Sequence, residues 1–167
     1  MAKFYSVGVG AGDGSYITLG ALRALEQADI IAVPVKKYGE KSTALEIIRK
    51  EFDTDKKEIS ELEFRMSGDT KIREESRRNS AEKIISALKD GKDVAMITLG
   101  DVSVYSTCTY VHNAVKNAGF ELEIIPGITS FCAALRHRCV GSPHPTSCLS
   151  INLCKVRGLM ISDYTAH

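Results

Sequence analysis

Three apolar, strand-forming runs each end at a glycine, and that repetition restricts the fold more than any other feature of the chain. They are KFYSVGVG (3–10), DVAMITLG (93–100) and FELEIIPG (120–127). Each sets β-branched or aromatic residues ahead of a residue that permits a tight turn or a close approach of backbone. Two further runs read as strands: IIAV (30–33), expected to stop at Pro34, and a weaker one carrying Ile59, Leu62 and Phe64. The segments between them have helical spacing. Leu19, Leu22, Leu25 and Ala28 mark one face in 18–29; Ala44, Leu45, Ile48 and Phe52 mark another in 42–52, behind a Ser42 cap. Ala81, Ile84, Ile85 and Leu88 form the stripe of a charged segment, 69–90, that Gly91 stops. Val104, Cys108, Val111 and Val115 predict a helix ending at Gly119, and ITSFCAAL (128–135) opens another. Strands alternating with helices predict an α/β fold, a mainly parallel sheet with helices on both faces.

Ligands of such sheets bind beyond the carboxyl ends of the strands. The loops Gly8–Gly14, Gly100-Asp101 and Pro126-Gly127 are therefore expected to meet at one edge. GVGAGDG (8–14) has glycine at every second position. A dinucleotide fold would need G-x-G-x-x-G and an acid about 20 residues on for the ribose. Here Asp13 stands in the third glycine's place, and Val33-Pro34-Val35 offers no acid. There is no G-K-[ST] either, so a phosphate loop is excluded. The alternating glycines beside Asp13 predict a neutral or cationic ligand lying against bare backbone.

Composition narrows the class further. A chain of 167 residues suffices for one well-buried domain, and 44% hydrophobic with 26% charged residues is the profile of a globular protein. A formal charge of +1 leaves no electrostatic footprint for nucleic acid, and no apolar run reaches the roughly 18 residues of a membrane span. Neither partner is expected. Five cysteines in a chain that opens directly on a strand predict reduced thiols and a cytoplasmic location.

With these residues in view, the chain resembles the tetrapyrrole (corrin and porphyrin) methylases. VGVGAGDGSYITLGALRALEQADII (7–31) is similar to their opening motif, GDVSVYST (100–107) to their G-D-P-x-x-Y motif, and IIPGITSFCAA (124–134) to their I-P-G-x-[ST]-S segment. VPVKKYGEKSTALEII (33–48) with VYSTCTYVH (104–112) resembles the branch that methylates C20 of precorrin-2 or cobalt-factor II on the way to cobalamin. Ala11 and Val102 stand where the family often has proline. The resemblance implies S-adenosylmethionine as methyl donor, bound by Gly10, Ala11, Gly100, Asp101, Val104, Tyr105, Thr129 and Ser130. Asp101 also has the commonest role of such a residue, a turn. Tyr105 divides evenly between cleft and core. The substrate implied is a tetrapyrrole with a rim of carboxylates, for which Lys36 and Lys37 are the candidates, with a solvated loop as their alternative reading. No metal ligand set and no catalytic base is identified, and a homodimer is expected. Another methylase of the superfamily, such as a diphthine synthase, and a folded fragment without turnover are the rival readings.

The resemblance covers 3–135. Residues 136–167 carry Arg136, Arg138, Lys155 and Arg157 against Asp163 alone, with three of the five cysteines and three of the four histidines. They read as an atypical tail in place of the family's second domain, with a loop at 141–147. Cys139, His144, Cys148 and Cys154 match no zinc spacing. Weak or undetectable donor binding and no measurable methyl transfer are expected of this chain by itself.

Overall fold

The computed structural model describes residues 2–104 and 108–139. Tyr105 and the expectations placed on 140–167, the 141–147 loop, His144, Cys148 and Cys154 among them, lie outside the described residues. The chain divides into two compact units, Met1–Ser130 and Phe131–His167.

Five strands, β1 (Lys3–Gly8), β2 (Ile30–Val35), β3 (Glu58–Glu63), β4 (Val94–Thr98) and β5 (Glu121–Ile125), form one sheet in the order β3-β2-β4-β1-β5. Every pairing is parallel. The connecting helices are α1 (Leu19–Gln27), α2 (Thr43–Ile48), α3 (Thr70–Lys89) and α4 (Cys108–Asn117), and α5 (Ser130–Cys139) follows β5. Among the described residues no helix is long and apolar enough to cross a membrane.

The two-residue period of the strands sorts their side chains to opposite faces. Val7, Ile31, Val33 and Ile97 pack with Ala24 and Leu25 of α1 and Ile47 and Ile48 of α2. Phe4, Ala32, Leu62 and Met96 pack on the other face with Ile84 and Leu88 of α3 and Val111 and Val115 of α4. Burial on both sides is why β1, β2 and β4 read as nearly unbroken apolar runs. The predicted α/β class is the one observed.

Three expectations are corrected. The buried face of α1 is Ala21, Ala24 and Leu25, while Leu19 is 71% exposed and Leu22 half-buried. Small Ala21 and Ala24 let the helix lie close to the sheet beside Leu25, which leaves Leu19 turned outward. Pro34 does not stop β2, which runs on to Val35. The Val35 carbonyl accepts from Phe64 N–H (2.8 Å), so Pro34, one residue earlier, turns its amide side toward β4, whose pairing with β2 has already ended at Ala32. No ladder bond is lost there. Ser42 precedes α2 but makes no side-chain cap; its hydroxyl donates to the Pro34 carbonyl (3.3 Å), and α2 ends at Ile48 rather than near 52.

A part-buried polar pair crosses the second face. His112 of α4 places Nε2 2.8 Å from the Ser6 hydroxyl of β1, with its ring edge-on to Phe4. Burial, and secondarily the charge of Lys116, lower the His112 pKa. A folded pKa below the unfolded one means that the unfolded chain binds more protons as pH falls through the ordinary histidine range near 6.5. Stability is therefore expected to be full above that range and to decline below it. Urea midpoints at pH 7.5 and pH 5.5 check this, and His112→Gln should flatten the difference. An equal pH dependence in the variant would assign the effect elsewhere.

Candidate functional site

Parallel pairing puts all five carboxyl ends on one edge. There β1 feeds α1 on one face, while the adjacent β4 leads to α4 on the other, and the crevice between such strands is where α/β sheets take ligands. Backbone hydrogen bonds join the two loops at this point. Gly10 N–H donates to the Gly100 carbonyl (3.2 Å), and Gly100 N–H donates to the Gly10 carbonyl (2.8 Å). Both glycines have positive φ, +82° and +76°, which side-chain-bearing residues rarely adopt.

The loop after β5 joins them. A Cβ on Gly8 would lie 2.7 Å from Gly127 N and 2.8 Å from the Gly100 carbonyl oxygen; one on Gly127 would overlap that oxygen and lie 2.7 Å from the Gly8 carbonyl carbon. Elsewhere in the first loop, a Cβ on Gly10 would meet Tyr16, and one on Gly14 would meet Glu51. Of the four alternating glycines, Gly8 and Gly10 are thus required by contacts with backbone, whereas at Gly14 the neighbour is the movable side chain of Glu51. Gly12, with φ +88° and nothing within 4 Å, faces open space. Asp13 caps the single 3₁₀ turn Gly14–Tyr16, accepting from Ser15 N–H at 2.8 Å.

Asp101 fastens the junction. It is 7% exposed. Its Oδ1 accepts from the Ser103 N–H (2.8 Å) and from the Ser103 hydroxyl, and its Oδ2 accepts from Gly127 N–H (2.8 Å). Burial pushes the carboxyl pKa up, but the bonds from the Ser103 hydroxyl, Gly127 N–H and Ser103 N–H outweigh it and hold the group below its ordinary value. Such a carboxylate is ionised near neutral pH and is no general acid there. Both its oxygens serve the loops. Ser103 was not singled out from sequence, although D-x-S is the spacing of an Asx turn.

The other expected site residues fall into two groups along this edge. Ala11 and Val104 are half-buried on the loops after β1 and β4, Thr129 is half-buried, and Ser130 is exposed at the start of α5. Lys36 and Lys37 are exposed just beyond β2. They line a hollow of about 430 Å³ with Glu40, Glu63, Arg65 and Met66, residues that sequence reasoning did not pick out. A hollow of about 290 Å³ shares Lys36 and Glu40 and reaches Leu99 at the end of β4. Among the described residues no group of three His, Cys, Asp or Glu side chains is placed to hold a metal ion.

A parallel sheet covered on both faces, with glycine loops joined at its switch point, defines an α/β domain of the kind that takes ligands at its carboxyl edge. The chain belongs to the tetrapyrrole (corrin/porphyrin) methylases, whose family pattern matches residues 3–137. It is 46% identical over 132 residues to a Methanocaldococcus jannaschii protein named "Probable cobalt-precorrin-2 C(20)-methyltransferase", covering 79% of this chain and 55% of the relative. It is 34% identical over 131 residues to the cobalt-precorrin-2 C(20)-methyltransferase of Salmonella typhimurium, covering 78% and 54%. Among solved structures, the uroporphyrin-III-C-methyltransferase of Thermus thermophilus matches with a TM-score of 0.57 at 25% identity, over 80% of this chain and 52% of that one. The chain spans about half the length of the curated relatives it matches.

Proposed function

We propose that this chain forms the amino-terminal part of an S-adenosylmethionine-dependent C-methyltransferase acting at C20 of precorrin-2 or cobalt-factor II in cobalamin biosynthesis. The observation that carries the reading is the division of one sheet edge: a glycine junction at the ends of β1, β4 and β5 lies beside a basic hollow at the ends of β2 and β3. Donor and acceptor would meet side by side. The names of the two relatives supply the position methylated. Family resemblance extends the reading to a cytoplasmic homodimer whose donor site is completed by a second domain.

The loops fit such a donor. Residues 8–14, 100–104 and 126–130 contain no Lys or Arg, so they offer no cationic side chain to a phosphate and do not repel a sulfonium cation. The backbone of Ala11 and Val104 and the hydroxyls of Thr129 and Ser130 would hold it. Gly10, Gly100 and Asp101 shape the backbone that presents these groups. S-adenosylmethionine supplies an electrophilic methyl group, and methyl transfer to carbon is an in-line displacement whose rate depends chiefly on positioning. Rigid loops are what this chain contributes to that step.

Titration of the ¹⁵N-labelled chain with S-adenosylhomocysteine tests the reading, because amide shifts register even weak binding. Saturable shifts are expected at Gly10–Gly12, Gly100–Val104 and Gly127–Ser130, and NAD should produce none of them. Silence at millimolar ligand, or shifts confined to other loops, would remove the donor site.

A further inference from the structure

We infer that Arg65 is the principal carboxylate-binding residue of this edge, a guanidinium fork set in advance to take one carboxylate of a flat, acid-rimmed macrocycle. The inference rests on the methylase reading and gives its acceptor site a definite anchor. Its basis is the construction of the hollow beyond β2 and β3. One wall is the loop 36–40. Gly39, at φ +79°, donates its N–H to the Glu61 carboxylate (2.8 Å), and Lys83 Nζ lies 2.8 Å from the Tyr38 hydroxyl and 4.4 Å from its ring centre. Lys36 and Lys37 therefore extend from a loop tied to both β3 and α3.

The other wall is tied equally firmly. Arg65 N–H donates to the Ser76 hydroxyl (3.1 Å), which itself donates to the Glu63 carbonyl (2.5 Å). The Arg65 Nε bonds to Glu63 Oε2 at 3.1 Å. Its side chain nonetheless remains 58% exposed, whereas that of Glu63 is 14% exposed. An arginine gripped at Nε keeps its terminal nitrogens for a second partner, and a fork already oriented loses less freedom on binding than a lysine does. Met66, 84% exposed, lies next to it, and Leu99, 51% exposed, borders the adjoining hollow. Apolar side chains flanked by cations match a ring with a flat apolar face and an anionic rim. Glu63 and Glu40 temper the charge of the hollow, which favours a ligand that offers a carboxylate at a defined place over any diffuse anion.

The test is titration of the chain with uroporphyrin, an octacarboxylic macrocycle, followed by absorbance and by amide shifts. Shifts are expected at Lys36, Lys37 and Arg65–Ser67. Uroporphyrin octamethyl ester and citrate should each bind far more weakly, since one lacks the anions and the other the ring. Arg65→Gln should weaken uroporphyrin by about tenfold or more, and Arg65→Lys should restore little of it. An unchanged affinity in Arg65→Gln, full rescue by lysine, or equal binding of the ester would overturn the assignment. S-adenosylhomocysteine shifts at the glycine loops, measured on the same samples, separate the two ideas. Their persistence with an indifferent Arg65 would refute this anchor alone, and their absence would refute the methylase reading beneath it.

Discussion

Gly127→Ala is expected to destabilise the domain by about 3 kcal/mol or more, a large loss for one methyl group. The added carbon would overlap the Gly100 carbonyl and approach Gly8 at both its carbonyl carbon and oxygen, and all of these are backbone atoms. No side-chain rotation relieves such a contact, so the three loops must separate. The comparison is Gly12→Ala. There the added carbon meets nothing within 4 Å, and the cost is the backbone strain of φ +88°, about 1–2 kcal/mol. Urea denaturation of both variants gives the order directly. A Gly127 variant no worse than the Gly12 variant would show that the loops are not packed backbone to backbone.

Asp101→Ala carries the second large effect, an expected loss of about 2–3 kcal/mol. It strips the acceptors from three donors at a nearly buried position, and charge-assisted bonds of this kind are the costly ones to leave unmade. Asp101→Asn should recover little. An amide presents one acceptor oxygen, so its NH₂ must face either Gly127 N–H or the Ser103 N–H, donor against donor. Because folding lowers the pKa of this carboxyl, its contribution is present above the ordinary aspartate value near 3.9 and is lost as pH falls through the folded value. The difference between wild type and Asp101→Ala should therefore be stable from pH 6 to 8 and shrink in acid. A variant within about 0.5 kcal/mol of wild type would return Asp101 to the role of an ordinary surface turn.

These two positions also mark the limit of local sequence reading. GVGAGDG announces an unusual approach to the main chain, yet what approaches Gly8 is Gly127, 119 residues further along, and Gly100. Asp101 carries a turn signal in its own tripeptide; its bond to Gly127 depends on β1 lying between β4 and β5. The basic hollow was half legible. Lys36 and Lys37 stand out as a pair, whereas Arg65 joins them through the pairing of β2 with β3 and the anchoring of Arg65 to Ser76 on α3.

What the sequence determined by itself is the set of elements and their class. Residue period is a local property: alternate-face burial makes β1, β2 and β4 apolar throughout, and the stripe Ala81, Ile84 and Leu88 marks the buried side of α3. The three motifs likewise carried the family with them. The tertiary structure decided the strand order, the face that α1 turns to the sheet, the continuation of β2 through Pro34 and the company each site residue keeps. Those outcomes depend on side chains and backbone groups far apart in the chain competing for the same space, and no window of neighbouring residues contains both competitors.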